Sequence, residues 1–198
     1  MFALKQISFF TVLLFLIAGC GSKNSDDIVK GVEEQLPKVD ASEFRKVKEE
    51  GITVSILKKM TVNRVSGDVL FSADYLPKEY HIEVSRIPIS RFSKDESYQA
   101  NKSNSLKWFA EQESQKLQDR LSKMEKEPMQ QLTSNKKNCF KQTLRGMAFG
   151  FPVQKVYFLR YYQDGDAFVT VACWTTHQNA KEFEKLAQYM GMTVSFSP

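Results

Sequence analysis

The segment from Val153 to Thr176 restricts the fold of this chain more than any other stretch. Val153 to Gln163 and Asp166 to Thr176 are rich in aromatic and β-branched residues, and Asp164-Gly165 joins them as a two-residue hairpin turn. In that register Val156 opposes Cys173, Phe158 opposes Val171 and Tyr161 opposes Phe168. Side chains alternate between the two faces of a strand. One face then carries Val156, Phe158, Val169, Val171 and Cys173, and the other Tyr157, Leu159, Tyr161, Phe168, Ala172 and Trp174. Both faces are apolar, so both must be covered. The simplest cover is a helix on each side, which makes the expected class α+β: an antiparallel sheet with helices on both faces.

Two segments supply those helices. Ser105 to Lys126 places Leu106, Phe109, Ala110, Leu117, Leu121 and Met124 at three- and four-residue spacings, with Trp108 at the edge of the stripe and Pro128 beyond its end. Ala180 to Met190 carries Phe183, Leu186, Ala187 and Met190 on one face. Asn179 and Glu182 pair there as a capping box, and Gly191 stands at the left-handed C′ position. Further strands are expected over Phe44–Lys48, Ile52–Leu57, Asp68–Ala73, Tyr80–Arg86 and Cys139–Phe149, the last turning at Gly150-Phe151-Pro152.

The amino-terminal end has a different character. Lys5 precedes an apolar run from Ile7 to Ile17, which has signal-peptide length and is too short to cross the roughly 30 Å hydrocarbon core of a bilayer. Ile17-Ala18-Gly19-Cys20 follows. This run resembles the lipobox of bacterial lipoproteins, where small side chains admit the peptidase and the thiol receives a diacylglyceryl thioether. The resemblance implies a signal peptide over 1–19, lipidation at Cys20 and a membrane anchor of several acyl chains, each buried methylene contributing about 0.8 kcal/mol. Residues 20–38 are polar and read as the lipidated cysteine and a flexible tether, leaving one globular domain over 39–198. Residue 21 is glycine rather than the aspartate that retains enterobacterial lipoproteins at the inner membrane. By resemblance, the expected location is the outer membrane, facing the periplasm.

Taken in order, the strands, the Trp108-bearing helix, Gly150-Phe151-Pro152-Val153 opening a long hairpin, the second helix and the closing Met192-Thr193-Val194-Ser195-Phe196 resemble the PsbP-like fold, and within it the DcrB-type envelope lipoproteins. The resemblance implies an α/β/α sandwich and a non-catalytic accessory role. It carries over no functional residues.

Chemistry-bearing motifs are sparse. His81 and His177 are the two histidines. His177 follows Cys173 by four residues, but no second pair completes a zinc site, so both read as surface or turn residues and no metal or cofactor is expected. Asp164 and Asp166 read as turn residues. The formal charge of +5 is spread among polar residues, without the basic and aromatic signature of nucleic-acid binding. An oxidising compartment favours a Cys139–Cys173 disulfide. The hairpin register opposes it, placing the two on the order of 23 Å apart along the strands; two buried thiols are expected. The function reading is a membrane-anchored envelope lipoprotein that binds or supports assembly of an envelope protein partner. Its alternative is an envelope hydrolase or transferase whose site one sequence does not reveal. A shifted cluster in a deep pocket would favour the enzyme, and an exposed apolar patch with a polar rim the binder.

Overall fold

A computed structural model describes residues 32–134, 136–148 and 152–197. The leader, Cys20, the start of the tether, Phe149 at the end of the expected Cys139–Phe149 strand and Gly150-Phe151 of its turn lie outside the described residues.

In chain order the first strands are β1 (Val32–Glu33), β2 (Phe44–Glu49), β3 (Ile52–Leu57), β4 (Thr61–Asn63), β5 (Val69–Tyr75) and β6 (Tyr80–Pro88). Helices α1 (Glu96–Ala100) and α2 (Ser105–Gln118) follow. Then come β7 (Leu121–Lys126), β8 (Gln130–Ser134), β9 (Lys137–Ala148), β10 (Gln154–Asp164) and β11 (Ala167–Thr176). Helix α3 (Ala180–Met192) and β12 (Ser195–Phe196) close the chain. The large sheet has the order β1-β8-β9-β10-β11-β6-β5-β4, with β7 sharing the β9 edge beside β8. A small sheet, β12-β3-β2, lies apart from it.

The expected α+β architecture holds, with the β10–β11 hairpin at the centre of the large sheet. One hairpin face, with Phe158, Val169, Val171 and Cys173, packs on α3 and the small sheet through Phe183, Met190, Ile52, Val54 and Ile56. The opposite face, with Leu159, Tyr161 and Phe168, packs on α2 through Trp108, Phe109 and Ala110. Among the described residues no helix is long and apolar enough to cross a membrane.

The hairpin register differs from the expected one. Asp164 pairs with Ala167 and Phe158 with Cys173, so the turn residues are Gly165-Asp166. Gly165 has φ +53°. A positive φ at the first central residue is the type II′ pattern, whereas the expected Asp-Gly turn needs glycine second. The slip shifts every partner by two residues and leaves the faces intact, because two is the side-chain period. Cys139 opposes Tyr162 and Cys173 opposes Phe158. Four rows still separate the thiols by about 13 Å along the strands, and both are free and buried.

The expected Ser105–Lys126 helix stops at Gln118. Leu121 and Met124 belong to β7, which pairs Leu121 with Ala148 and Lys126 with Leu144. Pro128 therefore interrupts a sheet edge between β7 and β8, where its missing N–H breaks the ladder. The need of β9 for a partner outweighs the helical spacing. Trp108 is buried rather than at the edge of the stripe.

At the second helix two end signals read differently. Asn179 makes no side-chain cap; its amide donates to the Lys78 carbonyl (2.9 Å) and the Thr176 hydroxyl (3.2 Å). Gly191 lies inside the last turn of α3, not beyond it. A Cβ there would stand 2.5 Å from Cδ of Arg160, so glycine makes room for that side chain.

Packing also begins earlier than composition implied. Within the stretch read as tether, Val32 and Glu33 pair parallel with Leu132 and Thr133, and the Glu34 amide donates to the Thr133 carbonyl (3.2 Å).

Candidate binding surfaces

Helix α2 packs on β7, β9 and β10, and through Phe109 on Phe168 of β11, and beyond it the same sheet face carries half-buried side chains. Strand pairing aligns a row across that part: Tyr157 beside Trp174, Trp174 beside His81, His81 beside Asp74 and Asp74 beside Thr61. The rings stand like a ladder. His81 lies 5.2 Å from Trp174 with planes 6° apart, and Trp174 lies 6.3 Å from Tyr157 with planes 29° apart. His81 Nδ1 and Asp74 Oδ1 are 2.5 Å apart, and the Asn63 amide donates to Asp74 Oδ2 (2.5 Å). Every member of the row from Tyr157 to Asp74 is half-buried. In the next row Glu83 stands between Ala172 and Ser72. Burial pushes its carboxyl above the ordinary value, and among the described residues no cation pairs with it. Burial likewise raises the Tyr157 phenol.

A second concavity lies at the hairpin turn, about 23 Å along the strands from that row. It is a cleft of about 670 Å³ between the start of α2, the strands β8 and β9, and the turn, with Gln131, Asn138, Phe140, Gln163 and Phe196 in its walls. The Lys137 ammonium sits 3.5 Å from the centroid of the Phe196 ring.

On the closed face the central feature is a buried ion pair. Arg160 is 4% exposed. Its Nη2 donates to Glu34 Oε1 (2.7 Å), and its Nη1 lies 2.6 Å from Oε2. Lys141 (3.3 Å) and the Gln188 amide (2.9 Å) also donate to Oε1. Burial pushes the Glu34 carboxyl up, but the Arg160 hydrogen bond and charge, with Lys141, overcome this and leave it below the usual carboxylate value. Beside the pair is a cavity of about 20 Å³, room for a water and nothing larger. Burial raises the Cys139 thiol and pushes the Cys173 thiol up to about 12, so neither is a nucleophile at neutral pH.

The residues singled out from sequence separate widely. His177 is exposed in the turn before α3 while Cys173 is in the core. Among the described residues no cluster could hold a metal ion. Asp164 ends β10, and Asp166 accepts from Arg86 (3.4 Å) at the surface. His81, expected as a surface or turn residue, is instead half-buried on β6, stacked on Trp174 and hydrogen-bonded to Asp74. Asp74, Glu83 and the Glu34–Arg160 pair were missed. Arg160 shares strand parity with Phe158 and Tyr162, and an arginine on a core-facing position requires a partner. That signal was available. The Asp74–His81–Trp174 row joins the β5–β6 hairpin to the distant β11 and requires the strand order.

No protein-family model and no curated protein matches the sequence. By structure the chain is similar to the cyanobacterial PsbP protein, CyanoP, of Synechocystis sp. PCC 6803, with a TM-score of 0.53 at 11% identity over 82% of this chain and 98% of that one. The chain has the PsbP-like fold. It is also similar to LpqN of Mycobacterium tuberculosis, a protein involved in cell envelope biogenesis, with a TM-score of 0.50 at 9% identity over 78% of this chain and 91% of that one.

Proposed function

We propose that this chain is a DcrB-type lipoprotein, lipidated at Cys20 and held at the outer membrane facing the periplasm, whose domain binds an envelope protein partner without catalysis. The half-buried ladder of Tyr157, Trp174 and His81, with the unpaired Glu83 beside it, carries the binding reading. A carboxylate left half-buried without a counter-charge costs free energy, which a partner's Lys or Arg would recover while packing its stem on the aromatic edges. The fitting partner is therefore a protein segment with a basic residue flanked by apolar ones. Support for the setting comes from Ile17-Ala18-Gly19-Cys20, the PsbP-like fold and the envelope role of LpqN.

The anchor is tested by Cys20→Ser, which should release the protein from membranes or leave an unprocessed precursor. A processed, membrane-bound variant would refute it. For the surface, a photo-crosslinking residue at Ser72 should give a specific adduct in intact cells that Trp174→Ala or Glu83→Ala abolishes at unchanged abundance. If adduct and phenotype survive both substitutions, the ladder is not the docking surface.

One observation favours the enzyme alternative: the Asp74–His81 pair has the form of an oriented base. The Trp174 ring covers one imidazole face, and Asp74 is its hydrogen-bond partner among the described residues, with no hydroxyl or thiol attached. His81→Ala that folds normally yet loses function, with Trp174→Ala still functional, would establish the enzyme.

A further inference from the structure

The cleft at the hairpin turn is separate from the aromatic ladder, and its chemistry is of another kind. Asn104, Gln131, Asn138 and Gln163 bring four carboxamides into one concavity. Each offers a donor and an acceptor. Phe140, Phe196 and Leu106 contribute apolar surface between them. Its two lysines are already engaged within the protein, and Asp164 stands in its wall as well. Lys107 lies 3.4 Å from Glu111, and Lys137 is held over the Phe196 ring. Nucleic acid would need several free cations, and a protein interface a more apolar centre.

We propose that this cleft binds an oligosaccharide of N-acetylated amino sugars. Sugar hydroxyls both donate and accept, and carboxamides match that dual character where charged side chains do not. An acetamido substituent presents one N–H, one carbonyl and one methyl. The N–H and the carbonyl point to opposite sides of the trans amide, so two different carboxamides of the cleft meet them, one accepting and one donating, and the methyl packs on Phe196. The volume of about 670 Å³ lies within the range of ordinary ligand sites. Gln163 already accepts from the Ser105 hydroxyl (3.2 Å), which orients its amide nitrogen as the remaining donor.

The test uses the full-length protein in detergent micelles, titrated with chitotetraose while amide and side-chain resonances are followed by NMR. Saturable shifts confined to Asn138, Gln163, Phe196 and their neighbours are expected, with maltotetraose, which lacks acetamido groups, binding at least about tenfold more weakly. Asn138→Ala and Gln163→Ala should each weaken binding about fivefold, the loss of one neutral hydrogen bond. Trp174→Ala should leave the sugar affinity unchanged, which separates this site from the protein-docking surface. The absence of saturable shifts up to about 10 mM sugar, shifts outside the cleft, or equal affinity for maltotetraose would each overturn the proposal. The parent shift map stands alone should a variant fail to fold.

Discussion

The two faces of the large sheet handle charge in opposite ways. On the closed face, under α3 and the small sheet, Arg160 is almost inaccessible, and a carboxylate from the amino-terminal strap meets it with two contacts, joined by Lys141 and Gln188. On the opposite face Glu83 is half-buried, and among the described residues no cation answers it. A charge sealed from water survives only when its partner is built in, whereas one left at a partly wet surface leaves an energetic gap that another molecule can fill. Closure serves stability, and openness is what the proposed binding would use.

The comparison breaks most visibly at the ion pair. Arg160→Ala strands Glu34 and should cost about 3–5 kcal/mol, much of a total of about 5–15 kcal/mol; a Tm change of a degree or less would show that the Val32–Glu34 strap is not held by this pair. Phe183→Ala, deleting a ring under the same face, should cost a similar 3–5 kcal/mol. Trp174→Ala on the opposite face should cost less, roughly 1–2 kcal/mol, because that ring is only partly buried. Its larger consequence should be loss of partner binding, read as disappearance of the Ser72 adduct.

Smaller effects come from pH, and the two carboxylates should give opposite signs. Glu34 titrates below its unfolded value, so its contribution is present above the ordinary carboxylate range and disappears as pH falls through the folded value. Glu83 titrates above its unfolded value, so its contribution is full below that value and is lost as pH rises through the folded one. Glu83→Gln should therefore raise Tm at pH 7–8, with the gain vanishing towards about pH 4. Glu34→Gln should lower Tm at neutral pH, its deficit shrinking in acid. Thermal melts of both variants across that range check the pair of signs. The smallest effect belongs to His177→Ala, which should change neither stability nor function, since the side chain is exposed in a turn.

Period-two alternation made the hairpin, its faces and their covering legible from sequence, and an error of two in register left those faces unchanged. The edge strands were not legible. β7 and β8 alternate weakly and carry polar residues, so Leu121 and Met124 fitted a helical stripe as well as a strand. Choosing between them required β9 as the waiting partner. The strap was hidden for a related reason: its polar composition matches a tether, and only Glu34 against Arg160 reveals that part of it is docked. As for the aromatic row, His81 and Trp174 were visible singly. Their stacking depends on β6 lying beside β11, a long-range choice that neither segment encodes alone.

Docking of Val32 to Glu34 also acts as a mooring. If Cys20 carries the lipid, about a dozen residues separate it from Val32, so the domain floats on a line of at most roughly 40 Å. Casting off Glu34 would lengthen that line to the turn at Asp40, on the order of 25 Å more. With that anchor, the berth made by Arg160, Lys141 and Gln188 would govern how far from the membrane the domain can travel.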